Sequence, residues 1–303
     1  MRTSLQARGQ RQRSRQALTS FLFLLPALAF MIFSVYLPFG WNTVLSFEKW
    51  NGFSAPQWNG IQNYQWAFQN AETMHSLWNS VFFAVFSTLG AVVLGLFLAA
   101  LMYKIPTKEG GFYRLIIFLP VMLPAAVVGL LFTFVFNPEM GILNNLLRAV
   151  GLSNWTHVWL EDKSTLKWCI VIVNIWKMAG LTMMLSYAAM QMLPSSIFES
   201  SKIEGASYWV QFTQIILPLI QPTVLMAAVY TLVVNFKSYD IVSVLTGGGP
   251  GTASETIPIQ MVKVAFGFSK FGNAAAMGMI LAIVVMAIVS ALKFVFRGES
   301  YEY

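Results

Sequence analysis

Six runs of apolar residues, each long enough to cross a bilayer as a helix, constrain this 303-residue chain more than any other feature of it. At about 1.5 Å per residue, about 20 apolar residues span the hydrocarbon core. The runs are Ala17 to Val44, Leu77 to Met102, Tyr113 to Phe136, Leu166 to Leu193, Leu219 to Val242 and Ala274 to Phe296. Because backbone polar groups in lipid must be satisfied within the segment, each run is expected to be helical. Charged residues make up only 10% of the chain, against about 25% in a soluble domain, so an all-α membrane protein with six transmembrane helices is expected. Ala27-Leu28-Ala29 has the form of a signal-peptidase site, but apolar residues continue through Tyr36 and Leu37, which predicts an uncleaved first helix.

The net charge of +7 does not point to nucleic acid. Arg2, Arg8, Arg11, Arg13 and Arg15 precede the first run with no acid among them, the pattern of a cytoplasmic anchor under the positive-inside rule. With that end inside, Lys104, Lys108, Arg114, Lys202, Lys293 and Arg297 fall on the same side. Lys49, Arg148, Lys163, Lys167, Lys237, Lys263 and Lys270 fall outside, spread over longer loops. The organisation expected is a basic cytoplasmic segment 1–16, one transmembrane domain 17–296 and a short cytoplasmic tail 297–303. Trp41, Trp50, Trp58, Trp66, Trp155, Trp159 and Trp168 lie on the outer side, where aromatic belts or a partner protein would use them.

One stretch between the fourth and fifth runs, residues 194–218, is polar and helix-forming although lipid-embedded segments flank it. Pro194 ends the preceding helix, and Ser196-x-x-Glu199 has the form of a capping box that opens a new one. Gly205 is a natural stop, and from Ser207 a further helix is expected to run until Pro218 and Pro222 disturb it. Ile197, Phe198, Ile203, Trp209 and Phe212 need a surface to bury against.

The spacing Glu199-Ser200-Ser201, three residues, Gly205, nine residues, Ile215, one residue, Leu217-Pro218 resembles the signature loop of permease subunits of binding-protein-dependent ABC importers. Ser200 and Ser201 replace the two alanines usual there, and Glu204 replaces the usual Asp. Gly60-Ile61-Gln62-Asn63-Tyr64, Arg114 with Phe118-Leu119-Pro120, and Gly141-Ile142-Leu143-Asn144 are similar to the carbohydrate branch of that family. So, most specifically, are Leu245-Thr246-Gly247-Gly248-Gly249-Pro250, Glu255-Thr256 and Phe271-Gly272-Asn273-Ala274-Ala275. The resemblance implies a sugar-importing subunit of a bacterial or archaeal cytoplasmic membrane, with both termini cytoplasmic. It implies a second homologous permease, a dimer of ATP-binding subunits, and an extracellular or periplasmic sugar-binding protein as partners. ATP and Mg would be bound by the ATPase subunits and by no site here; the chain has no Gly-x-x-x-x-Gly-Lys-[Ser/Thr]. Glu199 would pair with a basic group of the ATPase, although the same glutamate could serve only as a cap.

Cys169 stands alone, and His75 and His157 are far apart, so neither a disulfide nor a metal cluster is expected. No catalytic motif is present, and no enzymatic role is expected. Polar groups inside spans are costly and mark cavities. Asn174, Lys177, Met178 and Leu181 share one helical face, and Thr231, Asn235 and Ser238 another. The maltose-type resemblance implies that Asn174, Lys177, Met178, Leu181, Thr231, Val234, Asn235 and Ser238 line the solute path, although Lys177 has no obvious counterpart there. It is equally open that Lys177 pairs with Asp240 or snorkels, and that Thr231 and Asn235 bond helix to helix. Two other readings share parts of this pattern: an ABC permease for a non-sugar solute, and an ATP-independent secondary carrier.

Overall fold

A computed structural model describes residues 19–105 and 107–296, apart from the side chains of Thr107 and Lys108. The arginine-rich segment 1–16, Ala17 and the tail 297–303 with Arg297 lie outside the described residues. Five helices are long and apolar enough to cross a membrane: α1 (Thr19–Leu45), α3 (Ala71–Tyr103), α7 (Lys163–Gln191), α9 (Tyr208–Phe236) and α12 (Phe271–Val295). A sixth crossing exists if the bent pair α4 (Thr107–Met122) and α5 (Ala125–Val135) is one span. Shorter helices connect them: α2 (Gln62–Gln69), α6 (Ile142–Ala149), α8 (Ser195–Ile203), α10 (Asp240–Leu245) and α11 (Ile257–Val262). A two-stranded antiparallel ribbon, β1 (Glu48–Lys49) with β2 (Gln57–Trp58), follows α1 in register Glu48 to Trp58.

The run 113–136, read as one straight span, is in fact two helices meeting at 100°. Pro124 is the cause. It has no N–H to give the carbonyl four residues back, and its backbone is extended (ψ 139°), so it opens α5 instead of extending α4. The fifth span also departs from expectation, starting at Tyr208 rather than near Leu219 and ending at Phe236. Pro218 and Pro222 do not break it. A π-helical stretch, Gln211–Ile216, widens the ladder immediately before Pro218 and absorbs the missing donor. Asp240 to Val242 belong to the separate helix α10 and not to the span.

α7 is the central helix, with 67% of its apolar window buried, whereas none of the window of α1 is buried. Two clusters hold α7 in place. At its first half, Leu166, Ile170 and Val173 pack with Phe83 of α3, Val128 of α5 and Ile241, Val242 and Leu245 of α10. At its second half, Met183, Tyr187 and Met190 pack with Ala99, Ala100 and Met102 of α3 and with Phe212, Ile216 and Ile220 of α9. Along α3, Phe83 and Ala99 are roughly 24 Å apart at about 1.5 Å per residue, so the clusters occupy opposite ends of the bundle. Close approach of α4 to α7 is allowed by Gly180, where a Cβ would lie 2.2 Å from the Ile117 carbonyl oxygen.

Loops at the first-cluster end are held by asparagines. Asn63 donates to the Ser46 and Glu48 carbonyls at 2.9 Å each, and the Tyr64 hydroxyl meets Ser46 Oγ at 2.6 Å. Asn144 donates to the Pro138 and His157 carbonyls and accepts from the Trp159 indole at 2.7 Å. Trp159 is thus committed to its own loop rather than to a belt, while Trp41, Trp58 and Trp155 are exposed.

Candidate functional site

Two places gather the residues singled out by sequence: the loop helix α8 at one end of the bundle, and a cavity halfway along it.

α8 opens after Pro194, whose extended backbone (φ −59°, ψ 136°) serves as N-cap with no side-chain bond. The expected Ser196–Glu199 capping box is not formed. The N-cap falls two residues earlier, at Pro194, so Ser196 lies inside the helix, and its carbonyl accepts from Ser200 Oγ at 2.9 Å. The closing signal holds as expected: Gly205 takes φ +81°, its N–H meets the Lys202 carbonyl and the Ala206 N–H meets the Ser201 carbonyl, both at 3.0 Å. That pair of bonds is a Schellman closure, which a residue with a Cβ adopts only under strain. Ser201 is buried, and its hydroxyl bonds back to the Phe198 carbonyl at 3.0 Å, so a serine fits where only a small residue can.

The apolar residues of this loop divide. Phe198 stacks on Tyr103 at 5.4 Å, Trp209 stacks on Phe97 at 6.3 Å, and Phe212 is buried in the second cluster. The Tyr208 hydroxyl donates to the Ala100 carbonyl, and the Lys104 ammonium sits 3.9 Å from the Tyr208 ring centroid. Ile203 stays 88% exposed, and Glu199 and Lys202 point to solvent beside it. α8 is therefore tied to α3 by Phe198, the adjoining start of α9 is tied to α3 by Tyr208 and Trp209, and α8 presents a free face carrying Glu199 and Ile203. The remainder of the sequence pattern lies elsewhere. Ile215 is half-buried within α9, and Leu217 and Pro218 line an apolar groove of about 600 Å³ between α3, α9 and α12.

The cavity lies between the two clusters and holds about 170 Å³. Asn174, Lys177, Met178, Val234, Asn235 and Ser238 line it, six of the residues picked out by helical face and resemblance. Leu181 and Thr231 do not. Leu181 is half-buried one turn further along α7, and Thr231 is fully buried with its Oγ1 unbonded. Ser238 reaches the cavity, though not by sharing a helical face with Thr231 and Asn235, because α9 has ended at Phe236 and Ser238 lies in the break before α10.

Sequence reasoning left five contributors off the path: Lys237 and Asp240, which line the cavity, and three more. Ala125 and Ile241 line the same cavity. Thr88 of α3 accepts from Asn235 Nδ2 at 3.2 Å. Its signal was the buried polar series Ser76, Ser80, Ser87 and Thr88 in an otherwise apolar helix. Asn235 therefore does both things weighed for it, bonding α9 to α3 through its nitrogen and facing the cavity.

The glycine-rich turn after α10 does not touch the cavity; it closes on itself. Ser254 Oγ bonds the Gly249 carbonyl at 2.9 Å and Thr246 Oγ1 at 2.8 Å, while Gly247, Gly248 and Gly251 take positive φ. Asn79 of α3 clamps it by donating to the Ala253 and Glu255 carbonyls. Thr256 Oγ1 then reaches the Ser238 carbonyl at 3.4 Å, so the turn positions the cavity's edge. Glu255 beneath it is buried and lies 3.6 Å from Lys263 Nζ. Its carboxyl is held above the ordinary value of 4.5, by burial first, with Lys263 pulling it back and Glu72 adding to the rise. No cluster of His, Cys, Asp and Glu able to hold a metal exists among the described residues.

Comparison with known proteins gives a consistent picture. Residues 91–297 match the family described as binding-protein-dependent transport system inner membrane component. The chain is 36% identical over 282 residues, covering 92% of it and 96% of the relative, to the probable ABC transporter permease protein YurN of Bacillus subtilis. It is 33% identical to the diacetylchitobiose uptake system permease protein NgcF of Streptomyces coelicolor, over 95% of this chain and 86% of that one. Among solved structures, a chain of a bacterial alginate ABC transporter in complex with alginate pentasaccharide-bound periplasmic protein superposes with TM-score 0.79 at 21% identity. That match covers 93% of this chain and 95% of the other.

Proposed function

Since the chain belongs to the family of binding-protein-dependent transport system inner membrane components, we propose that it is one transmembrane subunit of an ATP-driven sugar importer. The observation that carries this reading is the pairing of an anchored end-helix that keeps Glu199 free with a polar cavity midway along the same bundle. The first is what a motor needs to hold, and the second is what a solute needs to cross. The sugar class rests on relatives such as NgcF, whose name specifies diacetylchitobiose uptake.

In this reading α8 faces the cytoplasm and both termini lie there. Glu199 and Ile203 seat in a separate ATPase subunit, which binds ATP and Mg²⁺ and supplies the chemistry this subunit lacks. A second, homologous permease closes the solute path, and an external binding protein delivers sugar. Closure of the ATPase dimer moves α8. Phe198 on Tyr103 ties that motion to α3, and Tyr208 on Ala100 and Trp209 on Phe97 tie the adjoining start of α9 to the same helix. α3 carries Thr88, which holds Asn235 at the cavity, so a displacement at α8 has a packed route to the solute. ATP shifts the conformational equilibrium only by the difference in how well it fits the two states, and a firmly seated α8 makes that difference large.

The test is purification of the chain from its native membrane followed by uptake assays in proteoliposomes. An ATPase should co-isolate, and Asn235→Leu should assemble normally yet transport poorly. Unchanged uptake in Asn235→Leu would make the cavity structural, and uptake without an ATPase would favour a secondary carrier.

A further inference from the structure

Lys177 is buried, only 8% exposed, on the central helix of a membrane bundle. A charge in that position is costly unless something compensates it. The ion pairs among the described residues are those of Lys263 with Glu72 and Glu255, and Lys177 makes none. Asp240 lines the same cavity and forms no ion pair with Lys177.

The other cavity groups share this bias. The amide nitrogen of Asn174 is buried with no partner, two further donors without acceptors. Asn235 gives one N–H to Thr88 and keeps a second N–H and its carbonyl oxygen. Lys237 lines the rim. The cavity thus carries two ammonium groups against one carboxylate, and its unpartnered buried side-chain atom is a donor nitrogen. A neutral sugar would leave Lys177 uncompensated during passage, whereas a carboxylate, phosphate or sulfonate would pair with it and accept from Asn174 as well.

We propose that the solute is an anionic sugar, and that Lys177, with Asn174 beside it, is the specificity-determining group that receives its acidic substituent. This rests on reading the cavity as part of the solute path. Asp240 then keeps the empty cavity from being strongly cationic and competes mildly for Lys177 until the solute arrives.

The assembled complex, reconstituted with its binding protein and ATP, is offered neutral disaccharides, each beside its uronate, 6-phosphate and 6-sulfonate forms. The wild type should take up an anionic member. Lys177→Gln and Lys177→Met should lower that uptake roughly tenfold or more, and Lys177→Arg should retain part of it. Uptake of neutral members alone, or undiminished anion uptake in both neutral variants, overturns the proposal. So does recovery of anion uptake in Lys177→Gln/Asp240→Asn, which would make Lys177 the structural partner of Asp240. Failure of the complex to assemble with either neutral replacement gives Lys177 a structural role and also overturns it. Absence of ATP-driven uptake of any member counts against the importer reading itself and removes this inference with it.

Discussion

At the scale of single residues, polar side chains in this bundle do mostly architectural work, and only a few are left facing the cavity. Asn63, Asn144 and Asn79 spend their amides on loop carbonyls, which gives the short motifs around the first two a physical reason to exist. Those motifs were legible as patterns, but their roles were not, because a staple depends on which carbonyls the fold brings near. Thr88 was hidden for the same reason. Replacing it with Val should leave the Asn235 nitrogen unpaired, costing about 1 kcal/mol in this setting and lowering uptake more than stability. A thermal-shift measurement beside an uptake assay separates the two effects. Glu255 gives a pH signature. Its folded-state value is raised, so the folded chain binds the proton more tightly than the unfolded one, and its contribution is fullest below pH 4.5 and lost as pH rises through the raised value. Melting temperatures from pH 4.5 upward should therefore fall less steeply in Glu255→Gln than in the wild type; parallel curves would contradict the assignment.

At the scale of elements, start and stop signals were legible wherever local chemistry alone decides them. Gly205 ends α8 as its sequence predicts, and Gly205→Ala should cost about 1 kcal/mol through its positive φ, loosening α8 without altering the spans. Limited proteolysis near residue 205 would show it. Proline misled twice, in opposite directions. Pro124 bends what read as one span, while Pro218 and Pro222 are tolerated within α9 because a π-helical stretch rearranges the ladder ahead of them. Whether a helix absorbs a proline depends on what its neighbours supply, and a single sequence does not contain that. The single aromatic contact of α8 with α3 makes a sharper demand. Phe198→Ala removes the stack on Tyr103, and uptake per ATP hydrolysed should drop while hydrolysis continues, as measured in proteoliposomes.

At the scale of the whole molecule, hydrophobic length was enough to find five helices apolar and long enough to cross a membrane and the bent pair that would make a sixth, and helical spacing found Asn174, Lys177, Met178 and Asn235 of one cavity without any knowledge of packing. Six of the eight residues placed on the solute path line a single space; Val234 among them came from the resemblance alone, and Ser238 reaches it from the break after α9. Leu181 and Thr231 fell outside it, since spacing fixes a face but not the depth at which neighbouring side chains close over it. The architecture that results sets α8 at one end, joined to α3 by the Phe198–Tyr103 stack, and a polar cavity between two packed clusters. The central claim is that α8 takes its push from a separate ATPase through Glu199. It is tested most directly by comparing ATP-driven uptake and ATP hydrolysis in reconstituted complexes bearing Glu199→Lys. The account predicts that the spans still insert and that uptake per ATP collapses; uptake coupled to hydrolysis as in the wild type would contradict it.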